Sequence, residues 1–242
     1  MIVFGIHAVR EALRADRVER LVVGRREDGR LQAIVDEAAR RQVSVERAED
    51  VELDRRSRGG VHQGVMAFVR PPRVWQPSDL VSSASGPALI VVLDGIEDPG
   101  NVGAILRSCD AAGVDGVIRQ TRRAAPLEGA AAKASAGASL HVRVADVVNI
   151  ARALDELKGL GVWVVGLAGD GAQDYDRVDL TMPTAFVLGA EGKGLRRLVR
   201  ESCDWVVRIP LCGRVDSLNV SVAAGVALFE AQRQRRLAYE NR

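Results

Sequence analysis

One uninterrupted apolar run, Leu89-Ile90-Val91-Val92-Leu93, constrains the fold of this chain more than any other feature. Side chains alternate between the two faces of a strand, so five aliphatics in a row leave neither face for water. Such a strand belongs inside a parallel sheet with helices packed on both sides. The sequence downstream supplies partners for it. Val102, Ile105, Leu106 and Cys109 recur at helical spacing over 102–112. Further strands are predicted at 114–118, 162–167, 185–188 and 205–209, and helices near 147–158 and 194–202. A last helix is predicted from near Ser217, with Val220, Ala223, Ala224, Ala227, Leu228 and Ala231 on one stripe. Strand and helix in alternation predict an α/β fold around a mostly parallel sheet.

The N-terminal part alternates in the same way on a smaller scale. Ile6, Val9, Ala12 and Leu13 form one helical face, Leu21 to Val23 a short strand, and Leu31, Ile34, Val35 and Ala38 a second helix. An apolar strand, Val65 to Val69, closes this small α/β unit. Between the two parts, residues 71–87 hold four Pro and four Ser and break the apolar periodicity. The expected organisation is therefore an N-terminal domain over 1–70, a linker over 71–87 and a larger domain over 88–242.

Charge and cysteine content narrow the class of protein. The 242 residues carry a formal charge of +2, which excludes a polycation but not a local basic face. Three widely spaced cysteines, Cys109, Cys203 and Cys212, make neither a disulfide framework nor a zinc site, and they fit a reducing cytoplasm. No metal is expected. The N-terminus is charged by its tenth residue and no apolar run reaches about 18 residues, so neither a secretory leader nor a membrane association is expected.

In open parallel sheets, ligands bind at the loops leaving the carboxyl ends of strands. Three such loops stand out. Asp94 to Gly103 follows the buried strand and leads to Arg107; Gly189-Ala190-Glu191-Gly192-Lys193-Gly194 follows another strand; Ile209 to Ser221 enters the last helix. Each has a plain structural reading. Pro99-Gly100-Asn101 is a good turn with Asn101 a good helix cap, the glycines suit a tight turn, and Ser217 is a good cap. The order G-x-x-G-x-G is not the dinucleotide fingerprint, and Lys193 precedes Gly rather than Ser or Thr, so it is not a P-loop.

Taken together, LDGIEDPGNVGAILRSCDAAGV, VLGAEGKGL and IPLCGRVDSLNVSVAAGVALFEA resemble the three ordered motifs of the SpoU/TrmH class of SPOUT RNA ribose methyltransferases. Lys133 to Ala138 resembles the K-x-S-A-G-A stretch of that class. FGIHAVREAL and HQGVMAFV further resemble the subgroup that methylates the 2′ oxygen of a guanosine in 23S ribosomal RNA. The resemblance implies a C-terminal trefoil knot, a homodimer, S-adenosylmethionine as methyl donor, and rRNA or a ribosomal precursor as substrate recruited by the N-terminal domain. It carries the donor site onto Leu188, Gly189, Ala190, Ile209, Leu211 and Leu218, and the catalytic roles onto Arg107, Asn101, Glu191, Ser217 and Asn219.

A guanidinium is a poor base, so Arg107 is expected to stabilise the developing 2′ alkoxide and clamp the adjacent phosphate. Asn101 is expected to orient Arg107 or the ribose, and Glu191 to fix Arg107 or a group on the donor side. RNA phosphates require cations, and two clusters offer them: Arg119, Arg122 and Arg123 after a strand of the larger domain, and Arg55, Arg56 and Arg58 in the smaller. The chain departs from the family pattern at Gly100, where relatives often carry His, and at Arg119-Gln120-Thr121, where an apolar-Pro ending is more usual. Rival readings keep the chemistry but change the substrate to tRNA or another rRNA nucleotide, or make the chain a non-catalytic rRNA-binding assembly factor. The extra N-terminal part argues against the small tRNA enzymes, and the intact site residues argue against an idle site. A dehydrogenase is disfavoured because no G-x-G-x-x-G follows a strand.

Overall fold

The computed structural model describes residues 2–25, 28–57, 60–70, 74–122, 124–125, 127 and 130–240. It divides into two compact units, Met1–Arg73 and Val74–Arg242.

The first unit runs β1 (Ile2–Phe4), α1 (Ile6–Arg14), β2 (Val18–Gly24), α2 (Gly29–Arg40), β3 (Ser44–Ala48), α3 (Asp50–Ser57) and β4 (Val65–Val69). Its sheet has the order β1-β4-β2-β3, with β2 and β3 parallel and the other pairs antiparallel. Val9, Leu13, Leu21, Ile34 and Val65 pack on one face under α1 and α2. On the other face Val22 and Met66 meet Leu53 of α3. The sequence reading lacked β1, β3 and α3. Both strands are sheet edges, short or charged (Ser-Val-Glu-Arg-Ala), and α3 buries only Leu53 and Ser57.

The second unit follows as α4 (Pro77–Ser82), β5 (Leu89–Asp94), α5 (Pro99–Ala111), β6 (Gly116–Gln120), α6 (Ala130–Ala134), β7 (Val144–Val147), α7 (Ile150–Gly159), β8 (Trp163–Leu167), β9 (Gln173–Asp174), β10 (Thr184–Gly189), α8 (Arg197–Glu201), β11 (Trp205–Arg208) and α9 (Val220–Glu240). The seven strands lie in the order β7-β6-β5-β10-β8-β11-β9, and every pairing is parallel. The Leu89–Leu93 run behaves as its composition demands. Leu89, Val91 and Leu93 face a core shared with α5 and α9, while Ile90 and Val92 face one shared with α4 and α7.

Part of the segment expected to be a linker is helical instead. Residues 77–82 form α4, opened by a reciprocal cap between Gln76 and Asp79. Leu80 is fully buried, seated on Gly116 of β6, where a Cβ atom would lie 2.5 Å from its side chain. Only Pro77 and Leu80 of this six-residue helix are buried, too sparse a signal to show as periodicity. Residues 71–73 lie outside the described residues.

Candidate functional site

The three unusual loops leave the same edge of the sheet. β5 and β10 are neighbours in register, with Leu93 beside Leu188 and Asp94 beside Gly189, so the first two loops emerge side by side. β11, which delivers the third, is separated from β10 by β8 alone. In the first loop the cap of α5 is Asp98, whose Oδ1 accepts from the Asn101 amide at 2.7 Å. Asn101 therefore stands inside the first turn, with its side chain free of the capping role expected for it. The second loop closes on itself. The Gly194 amide donates to the Ala190 carbonyl at 2.8 Å, and Gly192 and Gly194 take the left-handed φ values of 72° and 63°. A Cβ on Gly189 would lie 2.3 Å from the Gly194 carbonyl carbon, so only glycine permits that closure.

The third loop ends at Asn219, not at Ser217. The Asn219 Oδ1 accepts from the Ser221 amide at 2.9 Å and from the Ser221 hydroxyl at 2.6 Å, which caps α9. Its Nδ2 donates to Asn101 Oδ1 and to Glu191 Oε1, both at 2.9 Å. One residue from each loop thus meets at a single amide whose four hydrogen-bonding positions are all used.

Around this junction lies a cleft of about 300 Å³. All six residues expected to hold the donor, Leu188, Gly189, Ala190, Ile209, Leu211 and Leu218, line it, together with Glu191 and Ser217. The walls are aliphatic and the polar groups are main-chain atoms of the second loop plus Glu191, Asp216 and Ser217. A fourth segment, Leu167-Ala168-Gly169 after β8, also lines it and was absent from the sequence reading. Its place between β10 and β11 at the same sheet edge is the signal that would have found it.

Two of the expected catalytic residues stand apart from the junction. The Ser217 hydroxyl lies 3.4 Å from Asp216 and touches neither asparagine. Arg107 is exposed on α5 and lines neither this cleft nor the second one described below. Six residues of α-helix place it about 9 Å along the axis and about 240° around it from Asn101. Asn101 therefore does not orient Arg107 within the chain, nor does Glu191 fix it; both are held by Asn219.

On the other side of Glu191 and Ala190 is a second, polar cleft of about 350 Å³, bordered by Glu97, Asn101, Gln120, Arg122, Lys193 and Arg196. It is bordered by an ion pair on a buried carboxylate that the sequence reading missed. Asp94, with no exposed side-chain surface, accepts from the Arg196 amide at 2.9 Å and from its Nε at 2.5 Å, and pairs with its Nη2. This ties the first loop to the second. An acid ending an otherwise apolar strand is the visible trace of it, since a buried carboxylate requires a partner.

The basic clusters are only partly free for RNA. Arg119 is mostly buried, with Nε on Asp146 at 2.7 Å and Nη1 on the Ala125 carbonyl at 2.6 Å, so it braces β6 against β7 instead of facing solvent. Arg122 is exposed in the polar cleft. Arg55 and Arg56 both donate to Glu52, at 2.7 and 2.6 Å, and these bonds hold its carboxyl below the usual range. Arg55 remains exposed, whereas Arg56 is mostly covered beside Phe68. Arg58 and Arg123 lie outside the described residues. Among the described residues, no group of His, Cys, Asp and Glu is placed to hold a metal ion.

Comparison with known proteins points the same way as this geometry. The family model described as the SpoU rRNA Methylase family matches residues 88–229, and one described as RNA 2′-O ribose methyltransferase substrate binding matches residues 2–75. The 23S rRNA (guanosine-2′-O-)-methyltransferase RlmB of Pseudomonas syringae pv. tomato is 46% identical over 239 residues, which span 96% of this chain and 95% of that protein. RlmB of Yersinia pestis is 45% identical over 242 residues, spanning 98% of each. Among solved structures, the SpoU methyltransferase AviRb from Streptomyces viridochromogenes, in complex with the cofactor AdoMet, matches with a TM-score of 0.74 at 28% identity, covering 98% of this chain and 90% of that one.

Proposed function

This chain belongs to the SpoU rRNA methylase family, and from that premise we propose that it methylates the ribose 2′ oxygen of a guanosine in 23S rRNA, with S-adenosylmethionine as donor. The observation that carries the reading is the Asn101–Asn219–Glu191 junction, set beside a cleft of suitable size and chemistry. Near-full-length relatives named for that reaction support the choice of substrate.

The residues of the cleft fit the donor. Leu167, Ile209, Leu211 and Leu218 offer flat aliphatic surface for an adenine, and the main chain at Gly189 and Ala190 lies open beside it for hydrogen bonds. Glu191 and Asp216 place negative charge at the polar end. When bound, S-adenosylmethionine supplies a methyl group on a positively charged sulfur.

The chain's own residues do the rest. Asn219 fixes Glu191 and Asn101 relative to each other, and the remaining amide hydrogens of Asn101 hold the ribose. Ser217, on the cleft wall, shapes the space beside the transferring group. The role expected of Arg107, stabilising the oxygen that loses its proton and clamping the neighbouring phosphate, suits a planar cation and not a base, but within one chain Arg107 lines neither cleft and is not held at the ribose. The N-terminal unit recruits rRNA or a ribosomal precursor, with exposed Arg55 among its phosphate contacts, and Arg122 does so beside the site.

Three further features belong to this reading. The chain works as a homodimer, supported by the exposed Val222 and Phe229 seven residues apart on α9. Its C-terminal segment is threaded as a trefoil knot, on the strength of the three ordered motifs. It acts in the cytoplasm, which fits three unpaired cysteines and the absence, among the described residues, of any helix long and apolar enough to cross a membrane.

The test is methyl transfer from labelled S-adenosylmethionine to protein-free 23S rRNA and to ribosomal precursors, followed by mapping of alkali-resistant linkages. One methylated guanosine ribose is expected. Label in a base, or in no RNA, would overturn the proposal.

A further inference from the structure

We propose that the polar cleft is a base-reading pocket in which Glu97 and Arg122 select guanine. This deepens the reading above and rests on it.

The cleft is adjacent to the donor cleft through a wall made of Ala190, Glu191 and Gly194, which line both. A nucleoside seated there places its ribose at that wall, beside Asn101. At about 350 Å³ it falls in the range of small-molecule sites. Its lining carries more charged and amide side chains than that of its neighbour.

Sorting the polar groups by what is already engaged leaves a specific set. Arg196 is held by buried Asp94, and Asp98 caps α5. Gln120 donates its amide to the Val148 carbonyl at 3.3 Å, which leaves its Oε1 to accept. Glu97, Arg122 and Lys193 are exposed and make no ion pair among the described residues, although they border one cleft. The free inventory is a carboxylate, a guanidinium, an ammonium and an amide carbonyl.

Guanine matches that inventory edge by edge. Its N1–H and N2–H₂ are adjacent donors, which a carboxylate accepts in parallel, and Oε1 of Gln120 adds an acceptor for the second N2 hydrogen. Its O6 and N7 form the acceptor pair that a guanidinium fork binds. Lys193, a compact cation, suits a flanking phosphate. Adenine presents a ring-nitrogen lone pair at N1, which would face the Glu97 carboxylate and be rejected. Unstacked RNA bases are read on these edges.

The experiment uses the full-length protein and 23S rRNA fragments ligated to carry guanosine, inosine or adenosine at the mapped position. Inosine lacks only the 2-amino group. Wild-type protein is expected to methylate inosine at a kcat/KM roughly tenfold or more below guanosine, since the bonds of the 2-amino group to Glu97 and to Gln120 are lost. Glu97→Ala is expected to narrow that ratio several-fold, leaving only the share read by Gln120, while binding S-adenosylmethionine as tightly as wild type, which also shows that it is folded. Equal wild-type rates on guanosine and inosine, or an unchanged ratio in the folded variant, would overturn base reading while leaving the methyltransferase intact. No transfer to the guanosine fragment would instead overturn the parent reading.

Discussion

Asn219 and Asn101, 118 residues apart, are joined by a 2.9 Å hydrogen bond that fastens the third loop to the first. The same amide group reaches Glu191 of the second loop, and its carbonyl starts α9. Cap and site organiser are one side chain. That arrangement separates the two roles experimentally, because aspartate caps a helix as well as asparagine does but cannot donate.

Asn219→Asp should keep α9 capped and lose both donated bonds, setting one carboxylate against that of Glu191. We expect kcat to fall by about 10²-fold, the scale of losing one positioned donor. Thermal unfolding should shift by only a few degrees. Single-turnover methylation and melting curves measure both, and a variant with wild-type kcat would show that the junction is only structural.

Arg107→Lys keeps the charge and loses the planar fork. The methyl donor should bind as in wild type, since Arg107 does not line the donor cleft, while kcat falls by roughly 10²-fold. Calorimetry and single-turnover rates separate the two quantities. Near-normal turnover would mean that a point charge suffices and that the fork has no part.

The larger sheet was legible because its strands are short apolar runs bounded by glycine and charge, as at Leu89–Leu93 and Ala185–Leu188. Edge strands β1, β3, β7 and β9 were not, because one or both of their faces meet water and the apolar signal fades. The residues expected to hold the donor came from the resemblance of the three motifs to the SpoU/TrmH class, and they line one cleft. Side-chain roles were less visible. Neither the use of Asp98 in place of Asn101 as cap, nor Asn219 in place of Ser217, follows from composition, since all four are good caps. Arg119 was read as free because its partners, Asp146 and the Ala125 carbonyl, come from other segments.

Phe229 and Val222 leave about half their surface exposed on one stripe of α9, at 53% and 51%. If that stripe is the dimer contact, Phe229→Glu places a charge in an apolar interface, which is strongly unfavourable. Light scattering should report the wild type at twice the chain mass and the variant at once. A wild-type monomer, or a variant that stays dimeric, would remove α9 from the interface.

Burial pushes the Cys203 thiol up to about 12 and raises that of Cys109 further, so both are neutral thiols at pH 8. Thiolate is the reactive form, and a raised pKa keeps it scarce until pH approaches that value. A maleimide at pH 8 should therefore modify exposed Cys212 alone. Cys212 follows Leu211 of the donor cleft, so S-adenosylmethionine should slow the labelling. Peptide mapping decides it, and modification of Cys109 in folded protein would contradict the burial described.

Arg235 of α9 reaches back to the amino ends of two strands, far from both clefts. Its guanidinium donates to the carbonyls of Pro87 at 2.7 Å, Ala88 at 3.1 Å, Leu180 at 2.9 Å and Met182 at 2.9 Å. Burial lowers its pKa, an effect the Asp115 carboxylate opposes, and with no acid within bonding distance among the described residues the backbone carbonyls supply its hydrogen bonds. Arg235→Met keeps the aliphatic stem and strips the Pro87 and Leu180 carbonyls of their donor in a half-buried place, whereas Ala88 and Met182 keep bonds from Thr184. The expected loss is about 2 kcal/mol, the scale of leaving such groups unpaired, or roughly 4–8 °C in Tm for a unit of this size. Affinity for S-adenosylmethionine at the opposite edge of the sheet should not change. A variant that melts with wild type would show that water replaces the guanidinium without cost.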